Sequence, residues 1–386
     1  MPLVRRTTKG PILPGATIGI LGGGQLGRML AMSARSLGYH VQALDPDTSC
    51  AARFVVDRCL AAQFDDDFAA ADLARQCDVI TLEIEKIAPT SLDACARYAP
   101  VRPGRSVLEI VQDRGRQKDW LSKLGVPVGA YGHARSPEEL ANVVALLGGD
   151  CFVKSCTGGY DGRGQARVRL GDDCAATWVE LGGGPCIVEQ AVSIAEELSV
   201  LVARRPSGET VVYAPSLNVH ENRVLVWSVI PGPIEASLGS QAVAIARAIA
   251  ESLQIEGLLV VELFLTGDGR LLVNELAPRP HNTFHHTEAA CITSQFEQGV
   301  RAVCDLPLGS AEILRPAALC NLFGDLWLDA PAPRFDAALA LPGVRLHLYG
   351  KRVAKPGRKM GHLTAIGATP AEALELVREA RARLGG

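Results

Sequence analysis

The chain has 386 residues, 48% hydrophobic and 21% charged, with a formal net charge of -3. That length allows two or three domains with sizeable cores, and the near-balanced charge leaves no dominant basic face for nucleic acid. Eleven cysteines without a C-x-x-C pair argue against a zinc ribbon or a disulfide framework and suit a reducing compartment.

In chain order, residues 1–14 are basic without an apolar centre, so they read as a flexible extension rather than a signal peptide. No apolar run has the length of a membrane span; the expectation is a soluble cytoplasmic protein without a membrane or nucleic-acid partner. Thr17 to Leu21 reads as a buried strand, about Leu26 to Leu37 as a helix, and His40 to Leu44 as a second strand ending in Asp45. The first turn, Gly22-Gly23-Gly24-Gln25-Leu26-Gly27, has G-x-G-x-x-G spacing. Such a turn serves a dinucleotide with Asp45 on a ribose, another anion at a helix N-terminus, or close packing alone. A helix near 65–76 and a strand over 78–82 lead to Glu83-Ile84-Glu85, where open α/β sheets keep their ligands. Charged strand ends also occur without a role. Ser106 to Leu124 reads as one helix carrying Asp113, Arg114, Gln117 and Lys118. Ser136, Pro137 and Glu139 mark the start of the next helix.

From Cys151 the texture turns to strands joined by Gly- and Pro-containing turns. The spans 151–154, 164–169, 186–190, 198–203, 210–219 and 224–229 are expected as strands, and Leu238 to Leu253 as a helix. The stretch Lys154 to Gln165, K-S-C-T-G-G-Y-D-G-R-G-Q, holds four glycines bracketed by Lys154 and Arg163. A loop so poor in Cβ atoms can close backbone N–H groups on a phosphate, or be a mobile hairpin; it does not fit the Walker pattern.

Gly257–Thr266 and Arg270–Glu275 read as a hairpin about Asp268-Gly269. A two-residue turn there places Glu262 directly across from Glu275, their Cβ atoms about 5 Å apart. Like charges so placed call for a cation between them, and hard oxygen ligands suit Mg²⁺; otherwise one glutamate is protonated or splayed into solvent. Arg279 and His281 follow in L-A-P-R-P-H-N, and a late basic cluster holds Lys351, Lys355, Arg358, Lys359 and His362. The latter is either a solvated hairpin or a phosphate clamp. A lid, paired acids and separate basic sites describe ATP-driven ligation better than hydride transfer.

The strings G-G-G-Q-L-G-R-M-L (22–30), T-G-G-Y-D-G-R-G-Q (157–165), V-E-Q (188–190), N-E-L-A-P-R-P-H-N (274–282) and K-P-G-R-K-M-G-H (355–362) resemble, in order, the 5-(carboxyamino)imidazole ribonucleotide synthase family of ATP-grasp ligases. The resemblance runs from about residue 17 to at least 366. It implies an α/β and α+β ATP-grasp architecture: a doubly wound domain (15–126), a lid (127–192), a central antiparallel domain (193–316) and a C-terminal subdomain (317–386) completing the substrate site. It implies carboxylation of 5-aminoimidazole ribonucleotide by bicarbonate in purine biosynthesis, with ATP and Mg²⁺, through carboxyphosphate or CO₂ released from it, in a homodimer.

By matching position, Arg114 and Lys154 would hold ATP phosphates under a lid containing Gly159, Gly162, Arg163, Gly164 and Gln165. Glu189 and Gln190 would sit at the adenine hinge, Glu197 at the ribose with His220 nearby, and Asn274 beside the nucleotide. Glu262 and Glu275 would bind Mg²⁺. Tyr160, Asp161, Arg279, His281, Lys351 and Arg358 would surround bicarbonate and the amine. The 22–27 turn, with Gly24, Gln25 and Leu26, would take the ribonucleotide phosphate, with Glu83 and Glu85 close by. The chain departs at Thr283-Phe284-His285-His286, where the family has S-G-H-W; Phe284 in place of glycine would be strained at positive φ. A formate-dependent transformylase, a biotin carboxylase, a dinucleotide-dependent oxidoreductase and an inactive nucleotide-binding protein are the competing readings.

Overall fold

A computed structural model describes residues 10–158, 164–221, 224–328 and 333–385. Gly159, Tyr160, Asp161, Gly162 and Arg163 of the expected lid therefore lie outside the described residues.

Four parallel strands, β1 (Thr17–Leu21), β2 (His40–Asp45), β3 (Arg58–Ala61) and β4 (Val79–Leu82), form the first sheet in the order β3-β2-β1-β4. Strands β1 and β4 are almost wholly buried, as expected where helices cover both faces. Helix Gln25–Ser36 turns Met29, Leu30 and Ala34 onto this sheet and onto helix Gln295–Val303 of the later chain. Residues 10–14 are not a loose extension. Ile12 is buried, and its N–H donates to the Cys304 carbonyl at 2.8 Å.

The stretch expected as one helix over 106–124 is two, Arg105–Val111 and Arg114–Lys123. The Asp113 carboxylate accepts from Arg116 N–H at 2.8 Å, so Asp113 caps the second helix instead of continuing the first. The Ser136 hydroxyl accepts from Glu139 N–H at 3.2 Å, and the Glu139 carboxylate accepts from Arg135 N–H at 2.8 Å. This capping sets the entry to helix Pro137–Leu146.

A small antiparallel sheet follows, in the order β5-β8-β6-β7: β5 (Tyr131–Ala134), β6 (Asp150–Ser155), β7 (Gln165–Arg169) and β8 (Cys186–Gln190). The remaining strands make one antiparallel sheet of nine. They are β9 (Ile194–Arg204), β10 (Thr210–Val212), β11 (Ser216–Glu221), β12 (Val224–Ile230), β13 (Gly257–Thr266), β14 (Leu271–Ala277), β15 (Ala317–Phe323), β16 (Val344–Leu348) and β17 (Lys359–Ile366). Their order is β14-β13-β9-β11-β12-β15-β17-β16, with β10 beside β9. The expected strand over 210–219 is thus split into β10 and β11. Residues 317–366 extend the central sheet through the β12–β15 pairing rather than forming a sheet of their own. Helix Ala236–Leu253 packs Ala242, Ala246 and Ile249 against β9 and β13, and helix Pro370–Arg383 covers β15 and β17.

The first turn is closed by side chains from elsewhere in the chain. A Cβ built at Gly27 would lie 2.6 Å from the Gly22 carbonyl oxygen, a backbone atom with no rotamer to escape into. Gly27→Ala should cost about 1–3 kcal/mol of stability, read by urea denaturation. An unchanged midpoint would show that the turn relaxes freely.

Candidate active site

The glutamate pair sits on the β13–β14 hairpin, but its register arises differently from the sequence expectation. The turn is a three-residue Gly267-Asp268-Gly269 loop: Thr266 N–H donates to the Arg270 carbonyl at 2.9 Å, and Gly269 takes φ +82°. That register pairs Leu263 with Val273. A bulge then leaves Asn274 as an extra residue, after which Glu262 pairs with Glu275. The bulge restores the opposition that the three-residue turn would have removed. Directly paired residues share a face, so the two carboxylates approach one another.

Lys118 supports the bulge. Its ammonium donates to the Val273 and Asn274 carbonyls at 3.4 and 3.3 Å, while the Gln117 carbonyl oxygen accepts from Leu276 N–H at 3.1 Å. Both side chains are buried. Asn274 Nδ2 reaches Glu262 at 3.4 Å and His281 Nε2 lies 3.2 Å from its other oxygen. Burial opposes the Glu262 charge, but the hydrogen bond and charge of His281, with His220 and Arg279 beyond, hold its carboxyl below the ordinary range. Glu275 is pushed the other way, by burial and then by the charge of Glu262. Two facing acids of which one resists ionisation are short of one positive charge. Their chemistry fits a divalent cation with oxygen preference.

On the small sheet, the Glu189 carboxylate lies between two lysines, with Lys154 at 2.7 Å and Lys118 at 3.4 Å. Phe152 pairs with Glu189 across β6 and β8, which makes Lys154 the diagonal neighbour of Glu189 on the same face. Arg114 joins the start of its helix to the end of β6: its N–H donates to Cys156 O at 2.9 Å and its guanidinium to Ser155 O at 3.1 Å. Gly164 and Gln165 lie on the return: Gly164 O accepts from Ser155 N–H at 2.9 Å, and Gln165 pairs with Lys154. Gln190 ends β8, its N–H donating to the Ala130 carbonyl at 2.9 Å. Glu197 of β9 is 2.8 Å from His220 Nδ1 of β11. Burial disfavours the His220 cation, yet the hydrogen bond to Glu197 raises its pKa above the ordinary value.

Arg279 and His281 leave β14 on a restricted Pro-rich path. Arg279 Nε is 2.7 Å from Glu85, which brings the first domain's second carboxylate to the same place. The His281 backbone is clamped on both sides by the fully buried Gln295: its N–H donates to Oε1 and its carbonyl accepts from Nε2, each at 2.9 Å. The departure at 283–286 causes no strain. Phe284 belongs to a 3-10 turn over Asn282–Phe284, has no positive φ, and is fully buried against Tyr213 and His286. His286 is likewise buried, its Nε2 3.3 Å from the Ser216 and Ser228 hydroxyls.

Three backbone donors of the 22–27 turn are satisfied within the chain. Gly23 N–H donates to Asp45 at 2.7 Å, and Gly24 and Gly27 N–H donate to the two Glu83 oxygens at 2.7 and 2.9 Å. Two carboxylates thus accept from three of the turn's backbone donors. Burial pushes Glu83 up to about 7 even though these two N–H groups pull it down. Leu26 is buried in the helix packing, whereas the Gln25 side-chain carbonyl accepts from Lys351 Nζ at 2.7 Å. The open cationic cavity lies nearby. It measures about 410 Å³ and is lined by Asp47, Ser49, Arg352, Val353, Lys355 and Arg358. Arg358 donates to the Val353 carbonyl at 2.8 Å, which holds the 352–358 loop in shape.

Comparison with known proteins places the domains. Residues 15–112 match a ribonucleotide synthetase preATP-grasp domain, 119–296 an ATP-grasp domain, and 317–376 a phosphoribosylaminoimidazole carboxylase C-terminal domain. The N5-carboxyaminoimidazole ribonucleotide synthase of Bacillus subtilis is 41% identical over 92% of this chain and 92% of its own length. That of Brucella melitensis is 40% identical over 93% and 98%. Among solved structures, an ADP complex of N5-carboxyaminoimidazole ribonucleotide synthetase superposes with TM-score 0.90 at 39% identity, covering 97% of this chain and 98% of that one. The Aspergillus clavatus N5-carboxyaminoimidazole synthase with ADP and 5-aminoimidazole ribonucleotide gives TM-score 0.87 at 32% identity, over 96% and 98%. The chain belongs to the N5-carboxyaminoimidazole ribonucleotide synthase family of ATP-grasp enzymes.

Proposed function

We infer that the chain carboxylates the amine of 5-aminoimidazole ribonucleotide with bicarbonate at the expense of ATP, releasing ADP and phosphate. The observation that carries the reading is the opposition of Glu262 and Glu275, with Arg279 and His281 emerging directly beyond it. Glu262 and Glu275 would hold Mg²⁺, which neutralises charge on the terminal ATP oxygens when bound. Lys154 and Arg114 take the nucleotide phosphates from the side of β6, and Glu189 of the neighbouring β8 takes the adenine end. Gln190, Glu197, His220 and Asn274 complete that side.

Arg279, oriented by Glu85, binds the oxyanions of bicarbonate and then of carboxyphosphate. His281, with Nδ1 2.9 Å from the Thr283 hydroxyl and Nε2 3.2 Å from Glu262, would donate Nε2–H to the same group once Mg²⁺ takes the Glu262 carboxylate. Carboxyphosphate is labile in water, so the 157–165 stretch, which carries Tyr160, Asp161 and Arg163, must exclude solvent during the transfer. Gln25 and Lys351 face the incoming amine. The ribonucleotide phosphate goes to Arg352, Lys355 and Arg358, which line the cationic cavity. The protein acts as a homodimer in the cytoplasm on this reading. Among the described residues no helix is long and apolar enough to cross a membrane.

Arg358→Ala tests the phosphate position. It should raise KM for the ribonucleotide about tenfold or more, the scale of a lost charged hydrogen bond, and leave KM for ATP near its original value. Equal effects on both substrates would remove Arg358 from the clamp. The reaction itself is tested by following ADP from MgATP and bicarbonate as 5-aminoimidazole ribonucleotide, glycinamide ribonucleotide or biotin is supplied; only the first should stimulate release.

A further inference from the structure

The β16–β17 pairing carries a group of ligand atoms for which the carboxylation chemistry has no use. His347 and His362 are directly opposed on this antiparallel ladder, so both side chains leave one face. Their ring centroids are 5.2 Å apart. The short helix Thr287–Ala290 lies over that face and supplies Glu288, whose carboxylate is 3.9 Å from His347 Nδ1. One ligand atom from each of Glu288, His347 and His362 falls within 4.8 Å of the others, the only such group among the described residues.

The surroundings are those of a ligand site. His362 is buried, and its Nδ1 lies 2.9 Å from the Tyr349 hydroxyl. With Nδ1–H donated to Tyr349, Nε2 keeps its lone pair, the arrangement by which an outer partner sets the tautomer of a metal-binding histidine. His285 stacks on His362 at 4.7 Å but is no ligand. Gln295 and Asn282 occupy its two nitrogens at 3.0 and 3.1 Å. The Glu288 side chain is 37% exposed, which gives an ion a path from solvent.

We propose that Glu288, His347 and His362 bind a divalent transition-metal ion of the zinc class, with a fourth position open to water or an added ligand. Two imidazoles and one carboxylate are a zinc-type donor set, whereas Mg²⁺ prefers oxygen alone. The site is therefore chemically separate from Glu262 and Glu275. An ion here would tie the segment that begins with Arg279 and His281 to β16, which leads into Lys351.

The test uses the full chain, stripped with a chelator and titrated with Zn²⁺ against a chromophoric competitor, then with Co²⁺ followed by visible absorption. One equivalent should bind, with four-coordinate d–d bands and no thiolate charge-transfer band. Affinity should fall by more than about tenfold in His347→Ala and Glu288→Gln, yet persist in Glu275→Gln. Zn²⁺ should raise the thermal midpoint of the original chain but not of those two variants. Glu288→Gln alters only a partly exposed carboxyl, so it reports even if His347→Ala fails to fold. No binding, a thiolate signature, undiminished affinity in Glu288→Gln, or loss in Glu275→Gln would each overturn the site, and none of them bears on the carboxylation reading.

Discussion

Glu275→Gln should lower bicarbonate- and nucleotide-dependent ADP release by about 10³-fold or more, the scale of removing a principal charge-organising group from a phosphoryl-transfer site. The same variant should be at least as stable as the original chain in the absence of metal. Glu275 has a raised pKa from burial and from the charge of Glu262, with Arg114 and Lys154 pulling against them. A carboxyl raised in this way favours the folded state at low pH, and that contribution is lost as pH rises through its folded pKa. The amide carries no such penalty, so the variant's advantage should grow with pH and vanish below the ordinary carboxyl range. Activity lost with stability kept or gained identifies a group retained for the reaction. Thermal melts from acid to neutral pH beside an ADP-release assay read both. Near-normal turnover, or a variant that loses stability at neutral pH, would count against the assignment.

Arg279→Ala should reduce ADP release by about 10²–10³-fold, as expected where one preorganised donor to a developing oxyanion is removed. Arg279 is held 2.7 Å from Glu85, and its guanidinium also donates to the Pro280 carbonyl at 3.1 Å, so its direction is set before substrate arrives. KM for ATP should change little. Arg279→Lys should recover only part of the rate, because an ammonium lacks the planar fork. Steady-state kinetics at saturating ATP, with bicarbonate varied, separates the two effects. A rate for Arg279→Ala within about tenfold of the original would place Arg279 outside the reacting group.

The parallel first sheet and the strands β6 and β8 that carry Lys154, Glu189 and Gln190 follow local periodicity, and these were legible in the chain. The glutamate opposition was legible too, but through an incorrect turn. A two-residue loop and a three-residue loop followed by a bulge at Asn274 bring the same pair together. Only tertiary contacts from Lys118 and Gln117 explain why the bulge sits there. The glycine turn was recognised as a donor-rich helix start, yet three of its donors are taken by Asp45 and by Glu83, the latter 56 to 59 positions away. No local pattern reveals such long-range satisfaction. Lys118 and Gln295 were missed as positioning groups for the same reason: each acts on backbone atoms of distant segments. The break at Gln112–Asp113 had a local signal, an aspartate before a second helical turn, which apolar periodicity outweighed.

The most direct test is ADP release by the purified chain with MgATP and isotopically labelled bicarbonate, with and without 5-aminoimidazole ribonucleotide. The expected result is ribonucleotide-stimulated ADP formation, with label transferred to the ribonucleotide amine in equal amount. ADP formation indifferent to the ribonucleotide, or ribonucleotide that stays unlabelled while ATP is consumed, would contradict the account.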